Sequence, residues 1–273
     1  MSDLDPTATT TAVYDAAAEV FDHPVLTFWD AAGRGTVDCL DLALGMRVLD
    51  VASGSGSSAL AAAEAVGPAG HVIAADLSVK LLELAARKAS ERRLDNVEIV
   101  VGDMMHLGYP DESFDAVVCV FGIFFLPDMA QGIAELWRMV KPGGRLAVTT
   151  FGPGVLEPMY APFWEAVASE QPELARDRYN PWDDIDQPEQ VTNLFVSAGV
   201  PEPDIVPASH PTAVASADDW WAIVMGTGLR GTIRKLSPAA ASRLKQANGA
   251  VVESMAPLSV RVDVQYAITR KPS

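Results

Sequence analysis

Five short apolar runs punctuate the first 150 residues: Arg47-Val-Leu-Asp-Val51, His71-Val-Ile-Ala-Ala75, Val97-Glu-Ile-Val-Val101, Phe114-Asp-Ala-Val-Val-Cys-Val120 and Gly144-Arg-Leu-Ala-Val-Thr-Thr150. Each is short enough for a buried strand and ends in polar or glycine-rich sequence. The segments between them carry helical spacing instead. Ala59 to Val66 is alanine-rich, Val79 to Arg93 gathers Leu81, Leu82, Leu84, Ala85 and Ala89 on one face, and Met129 to Val140 does the same with Ile133, Leu136, Trp137 and Val140. Strand alternating with helix predicts parallel strands joined by right-handed crossovers, hence an α/β, doubly wound sheet.

Ahead of the first strand, Ala12 to Leu44 reads as two helices. Beyond the fifth, the alternation weakens. Val155 to Ala168, Pro188 to Ala198, Ala217 to Gly228 and Pro238 to Met255 have helical spacing, and Asp204 to Val206 is a candidate sixth strand. Val260 to Thr269 alternates apolar and polar residues, as suits a seventh strand at an antiparallel edge position. Prolines 201, 203, 207 and 211 mark a loop region and not a domain linker. The expected organisation is one domain: cap helices over 1–45, a core over 46–150, and the rest of the core with substrate-lid insertions over 151–273.

Composition narrows the class. Hydrophobic residues make up 49% and charged residues 21%, enough apolar sequence for a globular core. The formal net charge of −16 repels phosphate backbones, so nucleic acid is disfavoured as a partner. The densest basic runs, Arg87-Lys88 with Arg92-Arg93 and Arg230 to Lys235, fall in helix-like sequence and read as solvated faces. Two cysteines, Cys39 and Cys119, make no disulfide framework. No signal peptide or membrane-spanning run is visible, which predicts a cytoplasmic protein without membrane insertion.

The candidate chemistry begins where the first strand runs into Asp50-Val-Ala-Ser-Gly-Ser-Gly56. Glycines let a ligand approach the backbone, and the following helix presents free N–H groups to it. Taken alone, Gly54 to Ala59 also fits the dinucleotide spacing G-x-G-x-x-A, and that spacing is a weak signal. Three acids add to it: Asp50 in the first strand, Asp76 after the second and Asp103 after the third. In a parallel sheet their strand ends lie side by side along the ligand-binding edge. With no lysine or arginine in the turn, a pyrophosphate meets repulsion there. A ligand carrying an amino group, a sulfonium, a ribose diol and an adenine amine meets acceptors.

Val48-Leu-Asp-Val-Ala-Ser-Gly-Ser-Gly56, Ala74-Ala-Asp-Leu-Ser78, Val101-Gly-Asp-Met104, Phe114-Asp-Ala-Val-Val118 and Val140-Lys-Pro-Gly-Gly144 occur in order across residues 45 to 150. In these motifs the chain resembles the class I, Rossmann-like methyltransferases of the ubiquinone/menaquinone-biosynthesis type. The resemblance implies S-adenosyl-L-methionine as cofactor and S-adenosyl-L-homocysteine as product. It places Asp50 with Ala52, Ser53, Gly54 and Gly56 at the methionine part, Asp76 at the ribose hydroxyls and Leu77 against adenine. Asp103 and Met104 take the adenine edge and face, Val120 and Phe121 the methyl-transfer side, and Tyr14 closes over the cofactor. Ala52 stands where the commonest pattern has its first glycine.

The acceptor is expected in a pocket formed by the N-terminal helices, the loop after the fourth strand and the later insertions. Phe124, Phe125, Tyr160, Trp164, Trp220, Trp221 and Met225 are its candidate wall, although aromatics on helices more often face a core. The acceptor class they suggest is small and largely apolar: aromatic, quinone-like, polyketide or isoprenoid. His106 and His23 are the candidate catalytic bases, and no metal-ligand spacing appears. Two other readings stay open: an enzyme of this fold that binds the same cofactor for a different reaction such as cyclisation, and a nicotinamide oxidoreductase. Monomer and homodimer are both compatible with the sequence.

Overall fold

The computed structural model describes residues 6–273. Its helices are α1 (Pro6–Ala17), α2 (Phe28–Asp38), α3 (Ser57–Val66), α4 (Val79–Glu91), α5 (Met129–Met139), α6 (Tyr160–Glu170), α7 (Pro172–Arg176), α8 (Pro188–Ser197), α9 (Ala217–Met225), α10 (Leu229–Ile233) and α11 (Pro238–Ser254). The strands are β1 (Arg47–Val51), β2 (His71–Asp76), β3 (Val97–Val101), β4 (Phe114–Val120), β5 (Val140–Phe151), β6 (Asp204–Ser209), β7 (Thr212–Val214), β8 (Leu258–Val260) and β9 (Asp263–Arg270).

Seven strands form one sheet in the order β3-β2-β1-β4-β5-β9-β6, with β1 to β5 parallel and β9 antiparallel to both its neighbours. The period of two along the strands divides the core. Leu49, Val51, Ile73, Val117, Cys119, Leu146 and Val148 join the hydrophobic cluster on one face, packed with Ile133, Leu136 and Met139 of α5. Val48, Val72, Ala74, Ala116, Val118 and Ala147 belong to the other, beneath Val37 of α2 and Ala59, Ala61, Ala62 and Ala63 of α3. Alanine in α3 leaves little side chain between helix and strands, so the helix lies close and its N-terminus sits at the end of β1. Cys119 is a free, buried thiol in the first cluster, which burial pushes up to about 12.

Helix α2 also lies close. A methyl group on Gly33 would stand 2.7 Å from the Ser57 carbonyl carbon, and one on Gly35 would stand 2.2 Å from the Tyr266 hydroxyl. Thr36 and Thr149 share a hydrogen bond of 2.6 Å between α2 and β5. These contacts fix the helix that carries Trp29.

The C-terminal strand is one place in from the sheet's edge, not at it, and Gln265 and Thr269 are buried. The outer place belongs to β6, whose Pro207 stands opposite Gln265. Proline is tolerated there because an outermost strand has one unpaired side. Alternation identified a strand, but alternation says nothing of which strand pairs with it. The run before it divides: Leu258–Val260 pairs with Thr212–Val214 in a separate two-stranded sheet. Among the described residues no helix is long and apolar enough to cross a membrane, and no group of three or more His, Cys, Asp or Glu is arranged to hold a metal.

Candidate functional site

The turn after β1 is built from left-handed backbone. Ala52, Gly54 and Gly56 have φ of 51°, 53° and 88°. Glycine is needed twice over at position 56, where a Cβ would also come within 3.1 Å of the Ala85 Cβ on α4. Alanine at 52 carries the ordinary strain of an L-residue in this region, about 1 kcal/mol. Its methyl group fits because of a residue 70 positions later: a Cβ on Gly122 would lie 2.4 Å from the Ala52 Cβ. The missing glycine of the turn is therefore matched by a glycine after β4.

The three strand-end acids differ in how they are held. Asp76 accepts one backbone donor on each oxygen, Gly54 N on Oδ2 at 2.8 Å and Ser78 N on Oδ1 at 2.7 Å, so it braces the turn and keeps acceptor positions free toward the cavity. Burial raises its carboxyl above the ordinary range. Asp50 lies one layer behind the wall and is fully buried. Ser58, which does line the cavity, donates to its Oδ2 at 2.7 Å, and its Oδ1 has no partner. Burial, with the Asp76 charge as a lesser cause, pushes the Asp50 carboxyl up to about 7. Asp103 accepts Met105 N at 2.9 Å on Oδ1 and lies 3.1 Å from His106 Nδ1 through Oδ2.

These groups border a cavity of about 350 Å³ over the C-terminal ends of β1 to β4. One end is polar, with Ser53, Gly54, Asp76 and Asp103; the other is aromatic, with Phe21, Trp29, Phe121 and Phe125. Tyr14 on α1 covers it, its ring edge-on to Phe125 at 5.5 Å between centroids. Burial next to Asp76 raises the Tyr14 hydroxyl and keeps it protonated. The helix is tied down by its own Asp15, which accepts the Ser78 hydroxyl at 2.6 Å beside Asp76. A second, more polar cavity adjoins the first across Phe21, Trp29 and Ser55. There Lys88 of α4 donates to Ser55 Oγ at 3.2 Å and pairs with Asp22 at 2.7 Å, bringing a cation to a turn that has none of its own.

The residues present fit an S-adenosylmethionine-type group. Asp50 Oδ1 and Ser53 Oγ are buried acceptors without partners near one end of the turn, and acidic oxygens continue through Asp76 to Asp103. Such orphans are uncommon in a settled core and fit a site for a ligand's donors.

Of the cofactor residues expected from sequence, Tyr14, Ala52, Ser53, Gly54, Asp76, Leu77, Asp103, Met104, Val120 and Phe121 meet in this wall. Asp50 and Gly56 support it from behind. His106 lies on the rim at the Asp103 end with four-fifths of its side chain exposed. His23 is elsewhere, in the second cavity, where its Nδ1 caps a helical turn by accepting Val25 N at 3.3 Å. The two histidines are not brought together.

The expected acceptor wall is largely corrected. Phe125 lines the cavity; Phe124, Tyr160, Trp164, Trp220, Trp221 and Met225 do not. Phe124 is buried against Phe151 and Trp182. Trp220 is 1% exposed and donates to Asn248 Oδ1 at 2.9 Å, joining α9 to α11. Trp221 packs under Lys245, Tyr160 accepts from Asn180, Trp164 stacks beneath Arg178, and Met225 packs against the core while its carbonyl accepts from Arg230. They pack within the scaffold, although the Trp164 Nε1, like that of Trp182, has no hydrogen-bond partner. Phe21 and Trp29 line the aromatic part of the cavity instead, and sequence reasoning missed them. The available signal was the Phe28-Trp29 pair opening a helix that lies just before the cofactor strand.

Comparison with known proteins agrees with this arrangement. Demethylmenaquinone methyltransferase of Listeria monocytogenes serotype 4a is 35% identical over 155 residues, covering 56% of this chain and 62% of that protein. The chain thus matches about three fifths of that relative's length. Among solved structures, YcgJ of Bacillus subtilis superposes with a TM-score of 0.55 at 19% identity, covering 88% of this chain and 98% of that one. The [4+2]-cyclase SpnF does so with a TM-score of 0.55 at 24% identity, covering 89% and 80%. At such identities the likeness is one of fold. The model of the ubiE/COQ5 methyltransferase family matches residues 8–174, which contain the turn, the three acids and every residue of the cavity wall. The chain belongs to the ubiE/COQ5 methyltransferase family.

Proposed function

We propose that this protein transfers a methyl group from S-adenosylmethionine to a small, planar, largely apolar acceptor of the quinol or phenol type. The observation that carries the reading is the single cavity with an acidic end at the glycine turn and an aromatic end under α1 and α2. Relatives in the family include demethylmenaquinone methyltransferases, and their ring acceptor is of the class that the aromatic end suits.

The bound cofactor supplies a sulfonium methyl group already activated for displacement by a nucleophile. The chain's own work is therefore to bind, align and exclude water. Asp76, fixed by two backbone N–H groups, accepts from the ribose hydroxyls, and Asp103 accepts at the adenine edge. Ionised Asp50 attracts the ammonium of the amino-acid end. Phe121 and Phe125 seat the acceptor ring, and Tyr14 covers the reacting atoms with a hydroxyl that stays protonated. His106, beside Asp103, belongs to the cofactor end in this reading, so the phenol or quinol reacts as its oxyanion, its proton already lost to solvent.

Calorimetric titration with S-adenosylmethionine, S-adenosylhomocysteine and NADH tests the reading. Micromolar binding of the first two and none of the third is the expected outcome. Binding of NADH alone overturns it in favour of the dinucleotide reading of the turn.

A further inference from the structure

Trp29 stands out among the cavity residues. It is 9% exposed and forms part of the wall of both cavities, and its indole Nε1 has no hydrogen-bond partner. The rings packed round it are Phe21, stacked at 5.7 Å with an interplanar angle of 4°, Phe28 at 4.6 Å, Phe121 edge-on at 5.2 Å and Phe151 at 6.2 Å. All four are hydrocarbon, and none offers an oxygen to the indole proton. Leaving a buried donor unmade is costly, and tryptophan is normally found where its N–H has an acceptor. Of the three buried indoles without a partner among the described residues, Trp29, Trp164 and Trp182, Trp29 is the one that lines the cavity, where a bound ligand can bring an acceptor. Phe121, which stands edge-on to Trp29 in the same wall, follows the strand that ends on the methyl-transfer side, so the indole stands where the methyl donor meets the acceptor.

We propose that the Trp29 indole N–H donates a hydrogen bond to a ring oxygen of the acceptor, with Phe21 and Phe121 flanking the same ring, and so selects oxygen-bearing planar acceptors over hydrocarbons of equal size. The proposal rests on the methyltransferase reading above and specifies its acceptor site. Trp29 touches the acceptor in this arrangement; it donates to an oxygen and takes no proton. The hydrogen bond holds the ring in one orientation relative to the methyl donor, which a purely apolar slot cannot do.

The test uses two probes of one shape, 2,3-dimethyl-1,4-naphthoquinone and 2,3-dimethylnaphthalene, bound to full-length protein saturated with S-adenosylhomocysteine. Binding of both is followed by tryptophan quenching. The wild type should prefer the quinone by roughly tenfold, the size expected for one such hydrogen bond. Trp29→Phe keeps an aromatic side chain, though a smaller one, and removes the donor, so its preference should fall to near unity while hydrocarbon and S-adenosylhomocysteine affinities stay within about twofold. Phe21→Ala should weaken both probes alike. In 15N-labelled wild type, one of the six indole N–H resonances should move with the quinone and stay in place with the hydrocarbon, a readout independent of whether Trp29→Phe folds. A variant that keeps the preference, or an indole spectrum blind to the quinone oxygens, overturns the proposal. Failure of both probes to bind while S-adenosylhomocysteine still binds overturns it together with the ring-acceptor class, and failure of S-adenosylhomocysteine itself instead overturns the cofactor reading.

Discussion

Residues 10–127 and residues 128–273 are equally rich in buried aromatics, yet only the first set reaches the cavity. Trp29 and Trp220 mark the contrast. Both are nearly buried tryptophans on helices, but the Trp220 N–H is spent on Asn248 inside the scaffold and the Trp29 N–H is unspent at the cavity wall. Burial alone does not separate a structural aromatic from a binding one. What separates them is whether an unsatisfied polar edge also borders the cavity, since Trp164 and Trp182 are unsatisfied away from it.

The sharpest way to break this contrast is Trp220→Ala. If the residue serves the scaffold, the variant loses roughly 3–5 kcal/mol of stability, read as a lower melting temperature, while whatever remains folded binds S-adenosylhomocysteine with unchanged affinity. Lost affinity at unchanged stability would return α9 to the role of a lid.

A second measurement concerns the acid behind the wall. Asp50 ionises near 7 in the folded chain against an ordinary value of 3.8. Between those values the folded chain holds a proton that the unfolded chain has released. The contribution to stability is therefore complete below about pH 4 and declines as pH rises through 7. Its slope is on the order of 1 kcal/mol per pH unit. Comparing the wild type with Asp50→Asn in urea melts at pH 5 and pH 8 isolates it, since asparagine carries no charge to bury. Equal pH dependence in the two would show that Asp50 is not the group responsible. The same ionisation predicts tighter S-adenosylhomocysteine binding above pH 7, and no such gain for methylthioadenosine, which lacks the ammonium.

Asp76→Ala should lower S-adenosylhomocysteine affinity by about 2 kcal/mol or thirtyfold, with a smaller effect on melting, because it strips a ligand acceptor and frees Gly54 N and Ser78 N together. A large melting shift with intact affinity would make it a turn brace alone.

The smallest single shift comes from the pair at the turn. Ala52→Gly should stabilise the chain by up to about 1 kcal/mol by relieving the left-handed backbone, and Gly122→Ala should cost about 1–3 kcal/mol through overpacking. Combined, the first should largely rescue the second, a coupling that chemical denaturation can measure. Strict additivity would mean that the two methyl groups never compete for the space.

These differences also explain what the sequence could convey. The strands β1 to β5 and the cofactor turn were readable because parallel strands are buried on both faces and the turn needs particular residues at fixed spacing. Pairing between β9 and β6 was not, since the partner of a strand is chosen by the rest of the sheet. The acceptor wall was misread for a related reason. Trp220, Trp221 and Tyr160 look like a lid until Asn248, Lys245 and Asn180 are seen to satisfy them. Likewise, the tolerance of Ala52 depends on Gly122, far away in sequence and adjacent in space.

The seating of Gly35 against Tyr266 has a consequence for assembly during synthesis. A growing chain that has emerged as far as Pro127 already holds every described residue of the cavity wall. Helix α2, which carries Trp29, packs with Gly35 against the Tyr266 hydroxyl of β9, a strand translated well after the cavity wall. The chain therefore acquires its binding residues early and one of the contacts that seats α2 late.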